Sequence, residues 1–478
     1  MTSTEDTICA VSTPAGVGGI AVIRVSGSDA LEVCSKIWRG KPLSGVASHT
    51  AHLGTVTDLD GYALDQAVAT VFRAPASFTG QDVVELSVHG SRYVQQQLIQ
   101  ALIGAGARLA EAGEFTRRAF IAGKLDLAQA EAVADIIASE GREAHTLAMT
   151  QMRGGFSCRL AQLRQELLEI ASLLELELDF SEEDVEFASR IHLRQLAATV
   201  KDEVDRLSAS FSAGQAIKNG IPVAIIGRPN VGKSSILNRL LGDDRAIVSN
   251  IPGTTRDTIE DTITISGYTF RLIDTAGLRS TPDTIEALGV ERSLAAAARA
   301  RIVVYVTTPD ASLGQLMEEL IPIKEKMQTE AKLLIVYNKI DTLSRENTVA
   351  YDGGATSAIA ASISRQLSDN EHQLTADVCA MSALTGLGFQ ALPETLADIA
   401  GRSAAAHDLL ITNARHYEAL CASSESMARV INGLEASLSG DLIAIDLRQA
   451  ISDLGSITGT ITTPEILFTI FSRFCIGK

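Results

Sequence analysis

Gly227-Arg-Pro-Asn-Val-Gly-Lys-Ser234 is the stretch on which the reading of this chain turns. It fits GxxxxGK[ST], a glycine-rich turn whose backbone N–H groups close around phosphate oxygens. The apolar run Val223–Ile226 stands directly before it, and Ser235–Leu241 behind it reads as a helix. In that context Lys233 reaches the terminal two phosphates of a nucleotide, and the Ser234 hydroxyl is placed to ligate Mg²⁺.

Further runs of the same kind follow. Phe270–Ile273, Ile302–Val306 and Leu333–Val336 are short, continuous and apolar, the pattern of buried parallel strands. Strand and helix patterns alternate from Ile221 to about Gly401, which predicts an α/β domain. Three of its strands end in turns with chemistry of their own. Asp274-Thr-Ala-Gly277 closes Phe270–Ile273, so Asp274 can hold the Mg²⁺ shell and the Gly277 amide can meet a γ-phosphate. Asn338-Lys-Ile-Asp341 closes Leu333–Val336, and a carboxylate at Asp341 accepts from the N1 and N2 hydrogens of guanine, a pattern adenine lacks. Ser382-Ala383 closes Val378–Met381 and can add a backbone amide at the base. Each turn alone is a weak signal. After a phosphate loop, in this order and each at the carboxyl end of a strand, they read as one guanine nucleotide site. Asn230, Val231, Gly232, Ser235, Thr275, Ala276, Lys339 and Leu384 belong to the same turns and count as nucleotide contacts.

The flanks read differently. Thr7–Val11, Ile20–Val25, Ala67–Phe72 and Val83–Val88 are strand-like runs between glycines, with a helix expected at Ser91–Gly104. From about Ile121 to Ala213 the period becomes helical: Leu160, Leu163, Leu167, Ile170 and Leu174 share one face, as do Leu193, Leu196, Val200, Val204 and Leu207. After about Arg402 the chain is helical again. Thr463-Pro464-Glu465 makes a helix start, and Leu467, Ile470, Phe471 and Phe474 form an apolar stripe behind it. One-sided helices need something to cover, so the two helical stretches are expected to pack together with the α/β domain inserted between them, coming in at Asn219-Gly220 and leaving near Gly401. Two separate helical domains are the alternative.

Length and composition set bounds. At 478 residues the chain is long enough for about three domains. A formal charge of −17 argues against a protein that grips nucleic acid mainly through its phosphates, so any such contact needs a local patch or a partner. The acidic run Ser181–Glu186 reads as a solvated face or linker. The six cysteines are far apart and form no CxxC pair, which speaks against a disulfide framework or a zinc site and suits a reducing compartment. No stretch approaches the roughly 20 apolar residues that cross a bilayer, and Met1–Asp6 does not start a secretory signal. A cytosolic protein is expected.

The guanine motifs resemble the translation-factor-like class of Ras-fold GTPases. One departure matters: Leu278 follows Asp-Thr-Ala-Gly, where Ras-type enzymes carry a water-orienting glutamine. Gly253-Thr-Thr-Arg-Asp257, Phe78-Thr-Gly80, Lys124-Leu-Asp-Leu-Ala-Gln129 and Phe474-Cys-Ile-Gly-Lys478 extend the resemblance to MnmE (TrmE), the tRNA modification GTPase family, over essentially the whole chain. The stretch from Asp341 to Ser382 is longer than that family's pattern. The fold expected is therefore α/β plus α: a β-rich N-terminal α+β domain (1–120), a helical-bundle domain formed by two chain segments (121–217 and 402–478), and a Ras-like P-loop G domain (218–401) inserted between them.

The resemblance implies more. The family works with a flavoprotein partner of the MnmG/GidA type, as a heterotetramer, and attaches an aminomethyl-type group to C5 of the wobble uridine (U34) of certain tRNAs; FAD enters only through the partner. The one-carbon unit comes from 5-formyl- or 5,10-methylene-tetrahydrofolate held in the N-terminal domain, which also forms the homodimer. By motif, the folate contacts are Arg24, Glu85, Lys124 and Lys478, a carboxylate for ring N–H donors and cations for a glutamate tail; without the resemblance, an exposed ion pair is the better reading of each. The absent glutamine would be replaced by K⁺ on Asn230, Ser249, Ile251 and Thr254, with Thr255 joining Ser234 on Mg²⁺ and Glu286 positioning water. Arg279, beside Leu278, is a neighbouring but more structural candidate, and Glu286 alone would read as a solvent-facing helix residue. Cys475 is either the family's reactive cysteine or a small apolar residue at a helix end. The C-terminal Cys-Ile-Gly-Lys has the outline of a prenylation box, but Gly477 and a terminal lysine fit it poorly. A regulatory GTPase of ribosome assembly uses the same guanine motifs, and a stand-alone folate enzyme would need no GTPase.

Overall fold

The computed structural model describes residues 6–179, 190–242, 247–249, 261–273, 286–342, 376–404, 409–472, 474 and 477. The chain forms two compact units. One comprises Met1–Ile137, Met149–Asp202 and Ala422–Lys478; the other comprises Ala138–Ala148 and Glu203–Cys421.

In the first unit β1 (Ile8–Val11), β2 (Gly18–Ser26), β3 (Trp38–Gly40), β4 (Thr50–Thr57), β5 (Ala63–Phe72), β6 (Val83–Gly90) and β7 (Arg108–Leu109) form one sheet in the order β3-β4-β5-β6-β2-β1-β7. All neighbours are antiparallel except β1 and β7. Alternation sets the faces: Ala67, Ala69 and Val71 point inward from β5, while Val68 and Thr70 between them are not buried. The inner face packs Ile23, Val25 and Leu86 with Val33 and Ile37 of the helix Ala30–Ile37 and with Leu98 and Leu102 of the helix Arg92–Ala105. The sequence patterns found four of these strands and the second helix, but not β4. Its Gly54 breaks the strand pattern because the Trp38 indole lies flat on it: a Cβ there would come within 2.4 Å of the ring.

The two helical stretches do come together, which removes the alternative of separate helical domains. The helix Gly155–Asp179 packs along Gly440–Thr458 from beyond the insertion, with Leu160, Leu163, Leu167, Ile170 and Leu174 all buried. Arg194 of the helix Arg190–Ala209 pairs with Glu435 at 3.1 Å, and Arg190 donates to the Leu438 carbonyl at 2.9 Å. One residue of the expected stripe is displaced: Leu196 is only half-buried and Ala197 takes its place, since 193, 197, 200, 204 and 207 keep the 3.6 period better. Thr463 caps the helix Pro464–Phe471 by accepting from the Ile466 amide, and its stripe packs with Leu127 and Ala130.

The second unit holds the other sheet, ordered β14-β13-β12-β8-β11-β10-β9: β8 (Ile221–Ile226), β9 (Ile247–Ser249), β10 (Asp261–Ile265), β11 (Tyr268–Ile273), β12 (Ile302–Thr307), β13 (Lys332–Tyr337) and β14 (Asp377–Ala380). Five strands run parallel; β10 and β9 add an antiparallel edge absent from the sequence reading. Helices cover both faces, so the central strands are apolar throughout: every residue of β12 is buried. Parallel strands gather their carboxyl ends on one edge, and that edge carries the site.

Candidate nucleotide site and the N-terminal ion pair

Gly227 leaves β8 at φ +142°, and a Cβ there would lie 2.2 Å from the Val306 carbonyl oxygen of β12. Only glycine lets the turn pass that close. Asn230 at φ +61° and Gly232 at φ +97° complete a tight loop that delivers Lys233 to the first position of the helix Lys233–Gly242. Amides at such a helix start are ready donors for an anion. The Lys233 ammonium donates to the carbonyls of Gly227 (2.8 Å) and Arg228 (2.6 Å), folded across the loop. Burial pushes its pKa down, a desolvation that a polyphosphate would offset. Ser234 and Ser235 stand exposed beside it.

Asn338 is the keystone of the base side. It is 2% exposed, donates through Nδ2 to the Val231 carbonyl at 2.8 Å, and accepts on Oδ1 from the Ala383 amide at 2.9 Å. One side chain thus joins the phosphate loop, the end of β13 and the turn after β14. The Ala383 amide, expected at the base, is engaged here by the asparagine. Lys339 adopts φ +65°, unusual for a lysine, and its ammonium donates to the Asn230 carbonyl at 2.6 Å. Asp341 follows in the 3₁₀ turn Ile340–Thr342, exposed on the same edge. Ser382 is fully buried and its hydroxyl accepts from the Thr385 amide at 3.1 Å, while the Leu384 side chain is 84% exposed.

Sequence reasoning missed Arg239, on the helix that starts at Lys233. Its guanidinium donates to the carbonyls of Ala383 (2.8 Å) and Leu384 (3.3 Å) and lies 5.3 Å from the Phe389 ring centroid. No motif marks it. Arg228 and Tyr305 likewise meet on Glu319, a carboxylate the motifs do not include.

The switch residues fare differently. Ser249 ends β9, and Glu286 opens the helix Glu286–Arg299, both placed by backbone alone. Ile251, Thr254, Thr255, Asp274, Thr275, Ala276, Gly277, Leu278 and Arg279 lie outside the described residues, as do Cys475, Lys478, Ser181–Glu186 and nearly all of the long stretch before Ser382.

In the other unit Arg24 and Glu85 are cross-strand partners on β2 and β6. The guanidinium meets the carboxylate through Nη2 at 2.7 Å and Nε at 2.9 Å, and lies 5.7 Å from the ring centroids of both Phe78 and Phe115. Phe115 is fully buried beneath the pair, while Phe78 is 36% exposed, so the ion pair and the Phe78 ring offer a planar ligand a hydrogen-bonding edge and one aromatic neighbour. Lys124 is exposed, its stem 3.5 Å from where a Gly80 Cβ would stand, so the Phe78–Gly80 loop and Lys124 are neighbours. The chain end comes close as well: Ser12 donates to the Gly477 carbonyl at 3.1 Å. Beneath lies a buried charge cluster. Glu114 accepts from Arg108 (2.7 Å) and Arg118 (2.9 Å), which both also hold Asp6, and Arg118 donates to Gln81 Oε1 at 3.0 Å. Among the described residues no helix is long and apolar enough to cross a membrane.

Comparison with known proteins agrees with this arrangement. A family model described as GTP-binding protein TrmE N-terminus matches residues 7–124, and one described as MnmE helical domain matches 127–475. The tRNA modification GTPase MnmE of Christiangramia forsetii is 48% identical over 99% of this chain and 99% of its own. That of Parabacteroides distasonis is 47% identical over 99% and 100%. The G domain of the T. maritima FeoB iron transporter aligns with 38% of this chain and 98% of its own at 26% identity, with a TM-score of 0.25 that carries no further weight. A family model spanning most of the sequence and relatives alike from end to end place this chain in the MnmE (TrmE) family of tRNA modification GTPases.

Proposed function

We propose that the chain hydrolyses GTP within the machinery that modifies C5 of the tRNA wobble uridine (U34), using a tetrahydrofolate one-carbon unit and an MnmG/GidA-type flavoprotein that supplies the FAD. The observation that supports this most is the pairing of two sites in one chain: the frame of Lys233, Asn338 and Ala383 in one unit, and the Arg24–Glu85 pair beside two aromatic rings in the other. A regulatory GTPase needs the first and has no use for the second.

In this reading the loop amides and the Lys233 ammonium neutralise charge on the β- and γ-phosphates, which is most of what a phosphoryl-transfer site must do. Ser234 and Thr255 hold Mg²⁺, and Asp274 supports its shell. Asp341 accepts from the guanine edge. Asn230, Ser249, Ile251 and Thr254 hold the K⁺ that stands in for a glutamine or an arginine finger, as G domains pair across a homodimer, and Glu286 orients the attacking water. Arg24, Glu85, Lys124 and Lys478 bind the folate, whose one-carbon unit supplies the carbon added to the base; Cys475 is a candidate reactive group. The domain bounds of 1–120, 121–217, 218–401 and 402–478 go with this assignment, as does a cytoplasmic site of action.

Mass spectrometry of tRNA nucleosides from cells lacking this protein tests the reading. Loss of the C5 group from wobble uridines is expected. Unchanged wobble uridines would point to the regulatory role in ribosome assembly instead.

A further inference from the structure

We infer that Arg239 is a positioning residue for guanine recognition, holding the base-side turn Ser382–Leu384 to the phosphate-binding helix; this rests on the GTP site proposed above. Ala383 is gripped from both sides. Its amide donates to Asn338 Oδ1 at 2.9 Å, and its carbonyl accepts from Arg239 Nη1 at 2.8 Å. The same Nη1 reaches the Leu384 carbonyl at 3.3 Å. The guanidinium is held over the buried Phe389 ring at 5.3 Å, so its plane is set by packing and not by the hydrogen bonds alone. The turn is shaped to admit it: Gly386 stands at φ +88°, and a Cβ there would fall 2.3 Å from Arg239 Nη2.

The consequence is geometric. Lys233 and Arg239 belong to one ten-residue helix, with the phosphate lysine at its first position and the base-turn arginine nearly two turns later. A guanine contact from the turn after β14 therefore sits at a spacing from the phosphates that a single rigid element sets. Without Arg239 the turn keeps its amide tie to Asn338 but loses the hold on its carbonyl side. The 6-oxo group of guanine, the one a backbone amide in this turn would read, is then the contact most loosened.

The test uses the full chain and displacement of a fluorescent GDP analogue. Unlabelled GDP is compared with the diphosphate of 2,6-diaminopurine riboside, which keeps the 2-amino group, replaces the 6-oxo group by an amine and lacks the N1 hydrogen. The lost N1 contact to Asp341 is the same in wild type and variant, so the change in preference on mutation reads the 6-oxo contact. Charge-assisted hydrogen bonds of this kind hold about tenfold or more in affinity each. Arg239→Ala should weaken GDP about tenfold and weaken the analogue far less, so that the preference for GDP narrows. Arg239→Lys can reach one carbonyl but not fork, and should restore part of the preference. If Arg239→Ala weakens both ligands by the same factor, or leaves the preference of the wild type intact, the positioning role is refuted and the arginine is only a packing element. If the wild type itself shows no preference for GDP, the nucleotide reading falls, and this inference with it.

Discussion

Replacing Asn338 by alanine should damage nucleotide binding more than any single loss at the rim of the site. The side chain is 2% exposed and makes two buried hydrogen bonds, to the Val231 carbonyl at 2.8 Å and from the Ala383 amide at 2.9 Å. Truncation leaves a buried acceptor and a buried donor without their partner, and each such orphan costs about 1–3 kcal/mol. Water can enter the space and recover part of that, so a loss of about 2–4 kcal/mol in the binding-competent arrangement is expected, or roughly thirtyfold to several-hundredfold in Kd. Calorimetric titration with GDP reads the affinity, and amide hydrogen exchange of the Ala383 N–H reads the local opening. Asn338→Asp separates the two bonds. It keeps an acceptor for the Ala383 amide but sets an oxygen against the Val231 carbonyl, so Ala383 should stay protected while GDP still weakens. An Asn338→Ala variant that binds GDP within threefold of wild type and exchanges Ala383 no faster would refute the keystone role.

Other outcomes follow from the same geometry. Asp341→Asn should weaken GTP and improve xanthosine triphosphate, which presents the complementary edge; unaltered GTP binding in a nucleotide competition assay would remove Asp341 from base selection. Arg24→Ala and Glu85→Ala should each lower affinity for 5-formyltetrahydrofolate in calorimetry without touching GTP binding, whereas loss of both ligands would mean misfolding. Glu286→Ala should cut kcat strongly at nearly constant GTP affinity, and Na⁺ in place of K⁺ should slow turnover; equal rates in the two salts would take the cation out of the mechanism. Burial alone would raise the Glu114 carboxyl, but hydrogen bonds from Arg108, the Glu111 amide and Arg118 outweigh it and hold the pKa below its ordinary 4.5. A lowered carboxylate stabilises the fold above its unfolded pKa and loses that contribution as pH falls through the folded value. Glu114→Gln should therefore cost about 3 kcal/mol at pH 7 by taking from the buried Arg118 one of its two carboxylate partners, and the gap in thermal midpoint from wild type should narrow on acidification below about pH 4.5.

Much of this protein was legible along the chain because its signals are local. Buried parallel strands are continuous apolar runs, so Val223–Ile226, Ile302–Val306 and Leu333–Val336 announced β8, β12 and β13 within a residue or two. The antiparallel strands Asp261–Ile265 and Ile247–Ser249 were missed because they alternate or are very short, and pairing alone makes them strands. Motif spacing gave the order of the guanine turns, and helical period gave the buried faces of the bundle, with the Leu196–Ala197 exchange as the one slip.

Order along the chain specifies which chemical groups are present: a lysine in a glycine loop, an asparagine and an aspartate after one strand, an arginine and a glutamate on two others. Their mutual geometry was decided by the tertiary structure. Arg239 and Ala383 are 144 residues apart, Asn338 and Val231 107 apart, and Ser12 and Gly477 465 apart. Sequence period carries information over a few turns of helix or a few residues of strand, whereas these contacts depend on which strand lies beside which. With β8 set between β11 and β12, and β13 and β14 next along, the phosphate loop and the base turns meet on one edge. Arg239 is the clearest case: an unremarkable polar position in a helix until the turn after β14 closes over it.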